Sequence, residues 1–470
     1  MYLGGSNASE ATRILTGGLA MMRASLILAA GALCLLPAKT TTAEPSDDKK
    51  SPLKERSTYI KKQVAGDLDH LLTLYKHLHT NPELSLQEEK SAARIAKELK
   101  QLGFNVTEKV GGHGIVAVLK NGKGPTVLIR TDMDALPVVE KTGLPCASKV
   151  RARDRYGNDV GVMHACGHDM HMTCWVGTAR VLSGMKDQWH GTLVFIGQPA
   201  EEIGAGAKSM LNDGLFKRFP KPDYCLALHC DATRPHGHVS FTEGLALANV
   251  DSVDILVKGK GGHGAAPQTT IDPIVLAARI VLDLQTIVSR EIKPTDPAVV
   301  TVGSIHGGTK HNIIPNEVKL QITVRTTKDA VRKHVLEAIA RIAKAGAAAA
   351  RATEPEIKVD LGEFTPALIN DKDLTRKTVA LFRDLLGAER VHAREPVMGG
   401  EDFSRYGREG VPVFLYMLGT VTPERFAESE RENGRPLPSL HSDQFYPIPK
   451  PVIETGVLTM SMAVLNLVGK

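Results

Sequence analysis

Between residues 60 and 103 apolar side chains recur at helical spacing in "IKKQVAGDLDHLLTLYKHLHTNPELSLQEEKSAARIAKELKQLG". The break at Asn81-Pro82 and the stop at Gly103 predict two helices. The pattern then changes. Short runs rich in Val, Leu and Ile follow, "GIVAVLK", "TVLIRTDMD", "TLVFIGQPAEE" and "DYCLALHC", with a helix-like "DMHMTCWVGTARVLSGM" between two of them. Runs that are apolar on both faces and alternate with helices predict a mostly parallel sheet covered on both sides. From about residue 249 the order becomes strand, helix, two strands, helix, strand, ending at "EIKVDL". A β-α-β-β-α-β order of this length predicts a ferredoxin-like α+β domain.

Near the start, Met22 and Arg23 precede the apolar run "ASLILAAGALCLLPA", and "TTAEP" offers small residues for cleavage after Ala43. This reads as a signal peptide over 1–43, and hence as a secreted or periplasmic protein with no stable membrane insertion after its removal. A single membrane anchor is the competing reading, although the run is short for a span. The polar stretch 44–57, "EPSDDKKSPLKERS", reads as a flexible tether.

Composition narrows the classes. At 470 residues, 42% hydrophobic and 23% charged, the chain supports two or more folded domains rather than disorder. A net charge of +6 with scattered Lys and Arg and only 4% aromatics gives no interleaved basic and aromatic surface, which excludes a nucleic-acid partner.

Chemistry gathers at the ends of the predicted strands. "TVLIR" runs into Asp132 and Asp134, "TLVFIGQP" into Glu201 and Glu202, and "DYCLAL" into His229, while Cys166 and His168 lie in "GVMHACGHDMHMT" just before a helix. In open α/β sheets ligands bind outside the carboxyl ends of the strands. Singly, each residue is ordinary; together they deliver thiolate, imidazole and carboxylate to one rim. That set suits zinc, manganese or cobalt, and its size suits two ions sharing a bridge. A closed structural zinc site would favour Cys-x-x-Cys spacing, which is absent. If the strand continues through Glu201 and Glu202, they fall on opposite sides of the backbone, one for metal and one for the attacking water.

Seven motifs, "RTDMDALP", "MHACGHDMHMT", "GQPAEE", "GKGGHGAAP", "HNIIPNEV", "GGEDF" and "LHSDQF", occur in order and span nearly the whole mature chain. They resemble the hippurate hydrolase and indole-acetyl-amino-acid hydrolase family of metal-dependent amidohydrolases, within the co-catalytic metallo-aminoacylase and carboxypeptidase group. The resemblance implies a zinc-exopeptidase-like catalytic domain and two divalent metal ions per subunit. Cys166 would bridge them, with His168, Glu202, His229 and His441 completing the ligands and Glu201 acting as general base. Asp134 would orient the ligands. Asp132 stands where the wider group has a metal-binding His, and His164 and His171 have no counterpart role and read as structural.

Because His441 must return to the first sheet's rim, residues 249–362 read as an inserted lid between catalytic segments 58–248 and 363–470. By the same resemblance the lid pairs two subunits, and its His263 would stabilise the oxyanion in an active site, that of the partner included. Asn312 and Arg325 would face the cleft, a guanidinium suiting a substrate carboxylate. Gly399 and Gly400 fit a loop that lets backbone approach the ligand. The implied reaction is hydrolysis of N-acyl or N-aroyl amino acids. Dipeptidase or carboxypeptidase action on short peptides is the alternative among enzymes, and a metal-stabilised binding protein the alternative outside them. Removing the signal leaves Cys146, Cys166, Cys174, Cys225 and Cys230, of which Cys225 and Cys230 are expected to be free and buried.

Overall fold

The apolar runs of the first half join into one eight-stranded sheet in the computed structural model, which describes residues 47–470. The expected signal peptide lies outside the described residues. Parallel strands form the centre: Gly191–Gln198, Thr126–Asp132, Tyr224–Pro235 and Val413–Val421, in that spatial order. Antiparallel neighbours flank them. Asn105–Glu108 and Ile115–Asn121 lie on one side, and Val239–Phe241 on the other, itself parallel to Val391–Ala393. The central strands are apolar throughout because both faces are covered. On one face Phe195, Leu226 and Tyr416 meet Trp175 and Val457 of helices His168–Gly184 and Pro449–Val468. On the other, Leu128, Val194 and Ile196 meet Phe403 and Tyr406.

Helices His168–Gly184 and Pro449–Val468 approach closely. A Cβ at Gly177 would lie 2.5 Å from Val457 Cγ2, and one at Gly456 would lie 2.5 Å from Cys174 Sγ. Helix Pro449–Val468 is long and apolar enough to cross a membrane by composition, yet 72% of its apolar window is buried in the core. Cys225 and Cys230 stand on one strand an odd number of positions apart, so they point to opposite faces. Each is buried in a different core, and neither is bridged.

Residues 47–57 do not form the expected tether; they belong to the helix Asp47–Thr80. Docking explains the difference. Leu53 packs on the core, Ser57 and Ile60 are buried, and Arg56 donates to the Lys470 carbonyl at 2.9 Å. Lys54 and Glu55, among the polar residues that suggested flexibility, stand on the solvent side of the packed helix, and Lys and Glu are good helix formers.

Residues 249–359 build a separate four-stranded antiparallel sheet, ordered Ala298–Gly307, Glu317–Thr326, Asn249–Lys258, Glu356–Val359. Along Asn249–Lys258 every second residue is buried, and Val253, Ile255 and Val257 pack on Leu276, Ile280 and Ile339 of helices Pro273–Thr286 and Asp329–Ala349. Asp272 caps the first of these by accepting from the Ile274 and Val275 N–H groups. The strand Ala298–Gly307 has an open outer edge.

If the helix Asp47–Thr80 is docked as described, Ile60→Ala, at a fully buried position, should cost about 2–5 kcal/mol. Urea unfolding followed by circular dichroism measures this; a loss within about 0.5 kcal/mol, the surface range, would show an undocked segment.

Candidate metal centre

The rim residues reach one point from a strand end, a helix start and turns, except that His229 lies inside its strand, Tyr224–Pro235, which runs on beyond it. Asp132 is the last residue of its strand, and His168 is the first of its helix. The turn between Cys166 and His168 depends on Gly167, whose φ of 85° is left-handed and whose added Cβ would lie 2.8 Å from Cys230 Sγ. The strand Gly191–Gln198 does not continue through the glutamates. Ala200 takes a positive φ of 51° and a tight turn follows, so Glu201 and Glu202 are aimed by the turn rather than by pleat alternation. Asp134 holds that turn by accepting the backbone N–H groups of Glu201 at 3.1 Å and Glu202 at 3.0 Å, while Ser85 donates to it at 2.6 Å.

Five of the expected ligands converge. Cys166, His168 and His229 offer donor atoms within 4.8 Å of one another, and so do Cys166, Glu202 and His441. Cys166 is common to both trios, which is the position a bridging ligand needs. Glu201 joins His168 and Glu202 in a third group. His229 Nδ1 donates to the Cys230 carbonyl at 2.9 Å, which leaves Nε2 as a lone pair 3.4 Å from Cys166 Sγ. His441, at a φ of 68°, is fixed by its N–H to the Ala165 carbonyl, and its Nε2 lies 3.4 Å from Glu202. Among the described residues, both ring nitrogens of buried His168 and Oε1 of Glu202 have no hydrogen-bond partner. Their spacing of 3.7 Å is too long for a hydrogen bond and suits a cation between them.

The electrostatics agree with that fit. Burial, then the neighbouring carboxylates, push the Cys166 thiol and the Glu201 carboxyl well above their ordinary values, and burial pushes Glu202 up to about 7. Burial pulls His168 down, but Asp132, Asp134 and Glu202 outweigh it and raise the ring to about 10. Left to protons alone the cluster takes them up; divalent cations satisfy the same deficit of positive charge.

His171 is committed to two hydrogen bonds, although with Asp132 and His168 it forms a further group whose donor atoms lie within 4.8 Å of one another. It donates from Nδ1 to Asp132 at 2.7 Å and accepts the Cys230 N–H at Nε2 at 2.8 Å, so its ring is neutral and its pKa falls to about 4, chiefly through burial. His164 is buried without a partner on either nitrogen and joins none of the ligand groups. Sequence reasoning missed three supports. Arg130, fully buried, pairs with Asp132 at 2.7 Å, Glu401 at 2.8 Å and Asp402 at 3.3 Å. Its signal was an arginine inside an apolar strand, which demands buried partners. Glu401 and Asp402 stood in the "GGEDF" motif, valued only for its glycines. His79, with Asp169 and Glu140, gave no such signal.

Above the cluster opens a cavity of about 740 Å³ lined by Glu201, Glu202, His229 and His441, with Arg325, Gly399 and Gly400 in its wall. Arg325 is half-buried and makes no ion pair among the described residues. Gly400 is packed so closely that a Cβ would lie 2.5 Å from Val250 Cγ2. His263 and Asn312 are exposed and do not line this cavity.

The sequence profile of peptidase family M20/M25/M40 matches residues 128–436. The chain is 37% identical over 359 residues to the N-acetylcysteine deacetylase of Bacillus subtilis, covering 76% of this chain and 90% of that protein. It is 36% identical over 328 residues to the hippurate hydrolase of Campylobacter jejuni, covering 69% and 82%. Among solved structures, the Bacillus subtilis YXEP protein, described as a dinuclear metal binding peptidase, superposes with a TM-score of 0.67 at 31% identity over 85% of this chain and 98% of its own.

His79 supplies a pH test. Its ring bonds Asp169 at 2.7 Å and Glu140 at 3.1 Å, and these contacts outweigh burial to raise it from 6.5 to about 10. A raised imidazole stabilises the fold fully below its unfolded value and loses that contribution as pH climbs through the folded value. Wild-type stability should therefore fall between pH 6.5 and about 10 by a slope that His79→Gln lacks, measured by urea unfolding across pH. Identical slopes in both proteins would refute the buried charged pair.

Proposed function

Belonging as it does to peptidase family M20/M25/M40, this chain is one we propose to be a metal-dependent amidohydrolase that cleaves N-acyl or N-aroyl amino acids. The observation that carries this reading is the sharing of Cys166 between two ligand trios beside an uncommitted carboxylate, Glu201, at the floor of the cavity. His168 and His229 with Cys166 would hold one ion, and Glu202 and His441 with Cys166 the other. When bound, two divalent ions supply Lewis acidity to the scissile carbonyl and make water a stronger acid.

The chain's own groups do the rest. Glu201 takes the proton of the attacking water and passes it to the leaving nitrogen, so the C–N bond breaks as a carboxylate and an amine form. Asp134 keeps Glu201 and Glu202 in register through their backbone N–H groups. Arg325 holds the substrate carboxylate by charge-assisted hydrogen bonds, and Leu247, Val397, Met398 and Met417 receive the acyl group. Gly399 and Gly400 let the substrate pass close to the backbone.

The protein acts as a homodimer through the 249–359 sheet. The open edge of Ala298–Gly307 and the exposed Ile274, Val275 and Leu282 on the adjoining helix support this reading. Pairing there would let His263 and Asn312, which stand outside their own chain's cavity, reach the partner's and stabilise the oxyanion. The apolar run after Arg23 supports export.

The purified protein, assayed with zinc, manganese or cobalt against hippurate, other N-acyl amino acids and dipeptides, should hydrolyse the N-acyl substrates only when metal is present. Faster turnover of dipeptides would favour the peptidase alternative, and no turnover with any metal would favour a binding protein.

Glu201→Gln should keep its metal content while turnover falls by roughly two to four orders of magnitude, since only the proton acceptor is removed. Metal analysis beside kinetics checks it; loss of metal would exchange the roles of the two glutamates. Arg325→Ala should raise KM more than it lowers kcat, because anchoring a carboxylate contributes mainly to ground-state binding. An unchanged KM for a carboxylate substrate would remove Arg325 from the site.

A further inference from the structure

A second cavity, of about 470 Å³, opens where the two sheets meet and shares no lining residue with the metal cavity. Lys208, Arg405 and Arg408 enter it from the larger lobe and Arg332 from the smaller, against two carboxylates, Asp329 and Glu409. The partners of these cations decide what the cavity lacks. Arg408 spends its charge on Asp329, with bonds of 2.7 and 2.9 Å. Arg332 is held by buried Asp251 through Nε and Nη2 and lies 3.7 Å above the Phe364 ring.

The other two have only neutral acceptors. Lys208 Nζ donates to the Leu361 carbonyl at 2.9 Å, and Arg405 Nη2 to the Phe364 carbonyl. Nε of Arg405 is buried with no hydrogen-bond partner among the described residues. Burial lowers the Arg405 pKa, as expected for a guanidinium short of counter-charge, with Asp402 acting against it. A concave site that offers the Arg405 guanidinium and the Lys208 ammonium, with the Glu409 carboxylate as their counterweight in its wall, matches an anion with several oxygens.

We propose that this cavity binds a dianionic oxyanion of the phosphate type, either as the free ion or as the phosphoryl group of a small organic molecule. The ligand touches both lobes, with Lys208 and Arg405 on one side and Arg332 on the other, so its binding stabilises their mutual arrangement. The proposal does not depend on the hydrolytic reading, because none of these residues belongs to the metal centre.

Isothermal titration calorimetry of the full-length, metal-loaded protein at constant ionic strength tests it, with inorganic phosphate and glycerol 2-phosphate as separate probes and chloride as the background anion. Wild type should bind one equivalent of at least one probe. Lys208→Gln and Arg405→Gln should each weaken that binding roughly tenfold or more, the loss of one charge-assisted hydrogen bond. Lys123→Gln, an exposed position outside both cavities, should leave it unchanged. Tighter binding of the phosphomonoester identifies a phosphorylated molecule as the ligand, and tighter binding of phosphate the free ion. Lys208 makes a single bond at the surface, so its variant keeps the test open if Arg405→Gln fails to fold. No binding above the chloride background, or binding equally tight in wild type and both variants, as an anion on the metals would give, overturns the proposal.

Discussion

Arg130 is the buried cation on which the catalytic half depends. It stands in the middle strand of the sheet and pairs with Asp132 on its own strand and with Glu401 and Asp402 from the returning segment, a separation of 271 residues for the Glu401 bond. Removing one partner from such a network leaves an uncompensated buried charge, which costs far more than the pair contributes. Each carboxylate is tied again elsewhere. Asp132 receives His171, and Asp402 accepts from Gln198 at 2.6 Å and from the Ala207 N–H at 2.9 Å. The network therefore fixes the rim of the parallel sheet, and through His171 and the Cys230 N–H it also fixes the strand carrying His229.

One arginine does not balance the rim. Burial first, and then repulsion from Glu401 on Glu201 and from Asp134 and Asp132 on Glu202, raises both carboxyls. The site is thus built with an excess of buried negative charge that its own cations leave unmet, and the positions left without hydrogen bonds, on His168 and Glu202, are those facing the gap. A binding protein could carry such a cluster. The Glu201 carboxyl, which lies outside both Cys166 trios and opens on a cavity with Arg325 in its wall, is better matched to chemistry than to storage.

Much of this was legible because the residues obey local rules. The end of the strand Thr126–Asp132 was readable from an apolar run that stops at Asp, whereas the run that stops at His229 belongs to a strand that continues to Pro235. From about residue 249 the order of strands and helices was readable as the four strands and two helices of the smaller lobe. Three further things escaped. The glutamate pair was assigned to opposite sides of a strand, whereas Ala200 turns the backbone first, a conformation that no periodicity encodes. Residues 47–57 looked like a tether because the docking partners of Leu53 and Arg56 lie at the far end of the chain. The pairing of His79 with Asp169 and Glu140 was invisible for the same reason, since separations of 90 and 61 residues leave no spacing to recognise.

The two lobes divide the work by how they treat polar groups. In the catalytic half, buried polar side chains are held from several directions, as Asp134 is by Ser85 and two backbone N–H groups, so ligand atoms stay where the sheet puts them. Backbone bonds between Val250 and Thr365, and one from the Ala367 N–H to Asn249, join the smaller lobe to it, and the Arg408–Asp329 pair and the stacking of Arg332 on Phe364 add surface-type contacts. Such contacts are worth little individually and are sensitive to salt. Arg325 rides on the smaller lobe while the converging candidate ligands belong to the larger, so under the proposed function the distance from substrate carboxylate to scissile bond would be set across this junction. On that reading, whatever fixes the junction, whether a substrate bridging the cavity or the anion proposed at Lys208 and Arg405, would act on catalysis through the one dimension that the larger lobe alone does not control.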